Sequence, residues 1–297
     1  MPMSLSLRFI LALCAGAMML ATPAMSATPP TGAGHHDIRV MTFNVRYPNP
    51  DDGINVWPNR RDLMVKIIRE QHPDILGTQE LFEQQGNYLA SHLKHYTWFG
   101  LGRNGNNKDV NDNEHMGVFY NTDRLRVINR GNFWLSKTPN IPGSISWGQS
   151  MPRMVTWAEF QDKTTGKRFY YYDTHLPYRT KDEDLRERDA HILLKHIAKV
   201  PDSLPVIVTG DFNSTPDKPT HAIMTKVLHD ARLSAPVHYG PLHTFHGFTG
   251  HPTERIDYIF YRGLNAQDVR TVTTHKGKVY PSDHFPVVAD FTWQTTP

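Results

Sequence analysis

Cysteine is nearly absent from this sequence of 297 residues, because Cys14 is the only one. Cys14 lies inside the N-terminal hydrophobic stretch, so a protein that has lost this stretch contains no thiol. A disulfide and a thiolate-bound structural zinc are then excluded, and stability must come from the hydrophobic core.

Linkers, repeats and further long hydrophobic runs are missing from the rest of the chain. The chain contains no serine-nucleophile elbow, no phosphate-cradling glycine loop and no dinucleotide-binding fingerprint. The formal net charge is +3, and the lysines and arginines are scattered rather than concentrated in a patch typical of nucleic-acid-binding proteins. The length after the N-terminal stretch is enough for one large α/β domain or two small ones.

The N-terminus has the pattern of a secretory signal peptide. Arg8 supplies a positive charge, the apolar run from Phe9 to Ala21 is short for a membrane span, and Ala24-Met25-Ser26 is a small-residue cleavage site. We expect removal of residues 1–26 and export of residues 27–297 to the periplasm or the outside of a bacterial cell, without stable membrane insertion. An uncleaved anchor is the alternative.

A β-branched stretch, Val206-Ile207-Val208-Thr209, predicts a short buried strand that ends at Gly210. Asp211 and Asn213 follow, and side chains two residues apart on an extended chain point the same way. A carboxylate beside an amide can bind a hard cation or orient and deprotonate a water molecule. The alternative interpretation is a plain Asx-turn after a strand.

Polar residues also stand at the boundaries of the other predicted strands. Asp173 and His175, for example, are two apart and therefore predicted to share a face. The whole set comprises Asn44, Glu80, Asp173, His175, Asp211, Asn213, Asp257, Asp283 and His284. Oxygen ligands dominate this set, which favours Mg²⁺, Mn²⁺ or Ca²⁺ over zinc.

Periodic apolar residues predict three helices, and one polar segment predicts a loop. The helices span 57–70, 185–200 and 219–228. The segment 101–115 is rich in glycine and asparagine and predicts an exposed loop, with Glu114 at its return.

Six short motifs give the sequence its resemblance to a known family. They are Thr42-Phe43-Asn44, Gln79-Glu80, Asp173-Thr174-His175, Gly210-Asp211-Phe212-Asn213, Arg255-Ile256-Asp257-Tyr258 and Ser282-Asp283-His284. In this order they resemble the endonuclease/exonuclease/phosphatase superfamily, which includes deoxyribonuclease I, apurinic endonucleases, neutral sphingomyelinases and inositol polyphosphate 5-phosphatases. The resemblance runs from Ile38 to Phe291, and Gly143 to Phe160 is most similar to the compact exported bacterial hydrolases of this group.

The resemblance implies an α/β fold of the deoxyribonuclease I type, a four-layer sandwich of two packed mixed sheets with helices outside. It implies a metal-dependent phosphoric ester hydrolase. The metal ion, Mg²⁺ with Mn²⁺ or Ca²⁺ as alternatives, would be bound by Glu80, with Asn44 and Asp283 near the same ion. Asp211 would take a proton from the attacking water, and Asn213 would hold that water or a phosphoryl oxygen.

The resemblance also implies which residues contact the phosphate. His284 would stabilise its developing charge, oriented by Asp257. His175 is similar to the family's second phosphate-binding histidine, and Glu114 takes the place of the acid that orients it. Arg153 would neutralise phosphate charge.

The sequence leaves the phosphoester open. We expect a small or sugar-linked phosphoester. The alternatives are a secreted nuclease, a sphingomyelinase-like phospholipid phosphodiesterase, and a non-catalytic binding protein on the same fold. Nucleic acid is less favoured because segment 101–115 holds more Asn, Gly and Asp than Lys or Arg. A phospholipid substrate would call for an exposed apolar hairpin, and none is evident. The oligomeric state is not predicted.

Overall fold

Two β-sheets make up the centre of the fold. The computed structural model describes Met1, residues 36–105 and residues 113–294, so the predicted cleavage site after Ser26 lies outside the described residues. The strands are β1 Ile38–Asn44, β2 Ile75–Leu81, β3 Tyr96–Phe99, β4 His115–Asn121, β5 Leu125–Trp134, β6 Met154–Asp162, β7 Arg168–His175, β8 Val206–Asp211, β9 His229–Asp230, β10 Val237–Tyr239, β11 Asp257–Arg262, β12 Leu264–Thr271 and β13 Val287–Trp293. The helices are α1 Trp57–Gln71, α2 Glu83–His92, α3 Glu183–Ile197, α4 Pro219–Thr225 and α5 Ala231–Ser234.

Both sheets mix parallel and antiparallel pairs. The first has seven strands in the order β10-β12-β13-β1-β2-β4-β3, and the second has six in the order β5-β6-β7-β8-β11-β9. At the centre of the first sheet, β1 runs parallel to β2 and antiparallel to β13. At the centre of the second, β8 runs parallel to β7 and antiparallel to β11.

Three apolar layers hold the sheets and helices together. The inner layer joins the two sheets and includes Val40 from β1 and Ile207 from β8. Met41, the next residue along β1, packs outward with Met64 of α1. On the opposite side, Val208 packs outward with Leu193 of α3. Because both faces of each central strand are covered, these strands are apolar without alternation, and the predicted four-layer sandwich is confirmed.

The predicted helices are present with shifted ends. The helix predicted over 57–70 spans Trp57–Gln71. The one predicted over 185–200 begins at Glu183, since two acidic residues in its first turn interact favourably with the helix dipole, and it ends at Ile197. The one predicted over 219–228 ends at Thr225. Among the described residues, no helix is both long enough and apolar enough to cross a membrane.

Candidate active site

Strand register brings the candidate residues to one edge of both sheets. In the second sheet, Asp211 at the end of β8 pairs with His175 of β7 on one side and Asp257 of β11 on the other. In the first sheet, Asn44 pairs with Gln79, the residue before Glu80. The sheets pack face to face, so the two groups of side chains meet across their common edge.

A cavity of about 860 Å³ opens at this edge. The predicted residues that line it are Glu80, Glu114, Arg153, His175, Asp211, Asn213, Asp283 and His284. Asn44 and Asp257 are not among the lining residues but contact them from behind. The Asn44 Nδ2 donates to Glu80 Oε1 at 3.1 Å and to Asp211 Oδ2 at 3.0 Å. All the predicted site residues therefore lie together.

Asp257, His284 and Asp211 form a buried chain of ionisable groups. The His284 Nδ1 lies 2.9 Å from Asp257 Oδ2, and its Nε2 lies 3.8 Å from Asp211 Oδ2. Burial opposes a charged imidazole, but the carboxylates of Asp257, Asp211 and Asp283 outweigh it and hold the pKa of His284 well above its usual range. His284 is therefore protonated at neutral pH and can act as a hydrogen-bond donor.

The Asp211 carboxylate is placed to accept a proton. Burial, followed by the charge of Asp257, raises the pKa of Asp211 to about 7. Its Oδ1 accepts from the backbone N–H of Asn213 at 2.9 Å. A general base is most effective when its pKa lies near the working pH, so Asp211 has the protonation behaviour that water activation requires.

Asn213 and His175 form the neutral part of the site. Asn213 follows the end of β8 with a left-handed backbone (φ 49°), and its Nδ2 lies 3.0 Å from His175 Nε2. Burial lowers the pKa of His175 well below its usual value, and the charges of Arg153 and Arg103 lower it further. His175 is therefore a neutral imidazole, with Nδ1 4.0 Å from Glu114 Oε2.

The prediction of an exposed loop over 101–115 is wrong for most of the segment's described residues, while residues 106–112 lie outside the described residues. The buried ones are Gly102, Arg103, Gly105, Asn113 and Glu114. Arg103 and Glu114 line the cavity. The Arg103 Nη1 donates to Glu114 Oε2 at 2.5 Å. A polar composition predicts an exposed loop, but here the paired charges are covered by the rest of the fold, which sequence pattern does not reveal.

Glu80 owes its position to an irregularity in β2. The β2–β4 register shifts between Thr78 and Leu81, and Glu80 has a left-handed backbone (φ 57°) within this bulge. Bulges re-aim side chains, and strained backbones concentrate at functional sites. The Glu80 Oε2 accepts from the backbone N–H of Tyr47 at 3.1 Å.

Two sets of residues have ligand atoms suited to a metal ion. Asp211, Asp257 and His284 each offer one ligand atom, and these atoms lie within 4.8 Å of one another. Glu80 and Asp283 form the second set. Their carboxylates influence each other, because burial, and then the charge of Glu80, raises the pKa of Asp283. Two neighbouring carboxylates are a typical oxygen donor set for a divalent cation.

Two arginines at the site were not identified from the sequence. The Arg46 Nη1 lies 3.8 Å from Asp283 Oδ2, and Arg103 contacts Glu114. Arg46 stands two residues after Asn44, and this spacing was the available signal. Arg103 had none, because arginine in a polar segment is ordinarily exposed.

Asp173 shares its strand with His175 but does not line the cavity. Its Oδ1 accepts from Gln79 Nε2 and from Thr209 Oγ1, both at 2.7 Å, in the interior between the sheets. Burial raises the pKa of Asp173 well above its usual range. Asp173 is thus a protonated link between the sheets behind the site.

The two packed mixed sheets, with carboxylates, amides and histidines meeting at their edge, define a hydrolase of phosphoric esters. The family model described as the endonuclease/exonuclease/phosphatase family matches residues 41–284. The protein belongs to this family.

Solved structures share both the fold and part of the sequence. A family member from Bacteroides vulgatus is 32% identical, with a TM-score of 0.81 over 86% of this chain and 99% of that one. A mannosyl-6-phosphatase from Bacteroides thetaiotaomicron is 30% identical, with a TM-score of 0.80 over 86% of this chain and all (100%) of that one. Human nocturnin is 25% identical over 293 residues, which cover 87% of this chain and 66% of nocturnin.

Proposed function

We propose that the protein is an exported, divalent-metal-dependent phosphoesterase that hydrolyses a P–O bond of a small or sugar-linked phosphoester. The supporting observation is the chain formed by Asp257, His284 and Asp211 at the cavity wall, with 2.9 Å and 3.8 Å between successive groups. This chain provides a proton acceptor beside a charged donor, as in-line attack of water on phosphorus requires.

The described residues divide the chemistry between them. Asp211 accepts the proton of the attacking water while Asn213 orients that water or a phosphoryl oxygen. His284 donates a hydrogen bond to the oxygen on which negative charge develops, and Asp257 fixes the orientation of its ring. The neutral His175 contributes a hydrogen bond to the phosphate.

Glu80, Asn44 and Asp283 would hold the metal ion, which we propose to be Mg²⁺, with Mn²⁺ or Ca²⁺ as alternatives. The carboxylates of Glu80 and Asp283 fit a hard cation because they offer oxygen donors, and because the raised pKa of Asp283 indicates that its negative charge lacks sufficient compensation. Asn44 meets Glu80 through its Nδ2, so it would hold this carboxylate in place beside the ion. A divalent ion supplies stabilisation of negative charge on the phosphoryl and leaving oxygens. We assign Asp257 and His284 to proton chemistry because His284 Nδ1 and Asp257 Oδ2 are already paired with each other at 2.9 Å.

The cavity wall supports a small substrate with a ring. Tyr47, Phe82, Tyr178 and Phe245 line it, together with the charged groups. The ring of Phe245 also lies 5.0 Å from that of His284, so an aromatic face adjoins the reacting phosphate. Aromatic faces suit the apolar side of a sugar ring. A similar structure is a mannosyl-6-phosphatase, which favours a sugar phosphate among small phosphoesters.

Hydrolysis assays test the proposal directly. Mannose 6-phosphate and p-nitrophenyl phosphate would be compared with bis-p-nitrophenyl phosphate, single-stranded DNA and sphingomyelin, with Mg²⁺, Mn²⁺, Ca²⁺ or EDTA. We expect metal-dependent turnover of small esters, reduced at least about a hundredfold in Asp211→Asn. Asp217→Asn, at an exposed position six residues on, is the matched control. Preferential cleavage of DNA or sphingomyelin would overturn the substrate class, and activity unchanged in Asp211→Asn would overturn the mechanism.

Export is proposed from residues 1–26 alone. Fractionation of the producing bacterium, with N-terminal sequencing of the purified protein, tests it. We expect the protein in the periplasm or medium, beginning near Ala27. Full-length protein in the cytoplasm would contradict export.

A further inference from the structure

Arg153 is a buried cation that is incompletely paired. It directly precedes β6, lines the cavity and is 2% exposed. Its Nε and Nη1 atoms have no hydrogen-bond partner among the described residues. Both nitrogens are shielded from solvent. A buried guanidinium without an acceptor is costly, so an anionic ligand that meets Arg153 where it lines the cavity supplies charge that this residue lacks.

Arg103 brings a second guanidinium to the same cavity, and its backbone is firmly placed. Its N–H donates to the Glu114 carbonyl at 2.8 Å, and its own carbonyl accepts from Trp134 Nε1 at 2.6 Å. At the preceding Gly102, a Cβ atom would lie 2.1 Å from the Asn113 side chain, so only glycine fits. One Arg103 nitrogen donates to Glu114, while its buried Nε has no partner among the described residues.

Among the described residues, the two guanidiniums have one hydrogen-bonded carboxylate between them, Glu114, which contacts Arg103. Burial, and then the charge of Arg103, lowers the pKa of Arg153 to about 10, so Arg153 stays protonated at neutral pH. The neighbouring His175 is neutral. The charges of Glu114, Asp211 and Glu80 favour protonated Arg153 without a direct hydrogen bond to its Nε or Nη1.

We propose that Arg103 and Arg153 form a cradle for the terminal oxygens of a phosphomonoester dianion and make the enzyme select monoesters over diesters. This inference rests on the proposed function. A monoester presents three terminal oxygens and up to two negative charges, so it can satisfy a guanidinium fork and still face Asp211 and His284. A diester has one charge fewer and an ester carbon on one of those oxygens, so it forms fewer and weaker charge-assisted hydrogen bonds with the two guanidiniums.

Two esters with the same leaving group measure the selection of monoesters over diesters. They are p-nitrophenyl phosphate and methyl p-nitrophenyl phosphate. In Arg153→Lys, which keeps the charge but loses the fork, we expect kcat/KM for the monoester to fall about tenfold or more, and that for the diester to change by less than about threefold. Arg103→Lys should also lower the ratio of monoester to diester kcat/KM, and this variant provides the test if Arg153→Lys does not fold. Arg188→Lys, at an exposed position on α3, is the control.

Calorimetry gives a readout that does not depend on turnover. We expect inorganic phosphate to bind more tightly than dimethyl phosphate, and this preference to shrink about tenfold in Arg153→Lys. Equal losses for both esters, or an unchanged phosphate preference, would overturn the cradle. If the wild type hydrolyses neither ester yet keeps the Arg153-dependent preference, the proposed function fails and the cradle stands. If the wild type hydrolyses the monoester, and both variants keep its ratio of monoester to diester kcat/KM, the cradle fails and the proposed function stands.

Discussion

The Nδ1 atom of His284 lies 2.9 Å from Oδ2 of Asp257, and both side chains are buried. This contact fixes the orientation of the imidazole ring, so that Nε2 lies 3.8 Å from Asp211 Oδ2. Residues far apart in the chain are thereby joined into one chain of ionisable groups.

Asp257→Asn keeps His284 in place but removes the carboxylate that orients its ring and stabilises its charge. We expect kcat at pH 7 to fall about a hundredfold, with a smaller change in KM, because the amide cannot stabilise a charged imidazole. Steady-state kinetics with p-nitrophenyl phosphate measure both quantities. Asp184→Asn, at an exposed position of α3, should leave them unchanged. A change confined to KM would place Asp257 in substrate binding instead.

Glu80→Gln should weaken metal binding. Loss of one of the two neighbouring carboxylates should raise the Kd for Mg²⁺ or Mn²⁺ at least about tenfold. Isothermal titration of chelator-treated protein measures this change. Glu83→Gln, at an exposed position in the first turn of α2, is the matched control. If Asp257→Asn weakens binding as much as Glu80→Gln does, the ion belongs to the group formed by Asp211, Asp257 and His284.

Asp230 should make stability depend on acid pH. Burial opposes its ionisation, but the hydrogen bond from His221 at 2.9 Å and the charge and hydrogen bond of Arg255 at 2.6 Å outweigh it and lower its pKa. This stabilisation is present above the unfolded-state pKa of about 4 and is lost as the pH falls through the lower folded-state pKa.

Urea unfolding of Asp230→Asn measures this effect. At pH 7 we expect a loss of about 3 kcal/mol, because Arg255 is left buried without its partner charge. The difference from wild type should shrink as the pH is lowered below about 4. A difference that stays constant with pH would show that Asp230 stabilises the fold through its shape rather than its charge.

Asp173 should tolerate loss of its ionisable group but not loss of its hydrogen bonds. It is protonated at neutral pH because burial raises its pKa, so Asp173→Asn should change the free energy of unfolding by less than about 1 kcal/mol. Asp173→Ala should cost about 2 kcal/mol or more, because Gln79 and Thr209 lose a buried acceptor. Urea unfolding compares the two variants. Equal destabilisation would indicate that Asp173 is ionised.

The sequence carried enough information to predict the strand before Asp211 and most of the residues of the site. The uninterrupted apolar residues of Val206-Ile207-Val208 reflect a strand covered on both faces, and Asp211 directly follows them. The six motifs placed Asn44 and Glu80 at strand boundaries, where the structure has them, and placed His284 before the closing strand, which begins at Val287. These features depend on local order along the chain, which a sequence displays directly.

Only the tertiary structure decided the charge states of the site residues and the position of Arg103 in the cavity. The pKa of Asp211 near 7 and the opposite shifts of His175 and His284 arise from burial and from charges on distant strands. Arg103 lies in a polar segment whose composition predicts exposure, yet packing against Glu114 and Trp134 brings it into the cavity. Local sequence determines where a strand ends, whereas electrostatics depend on which groups the completed fold brings together and screens from water.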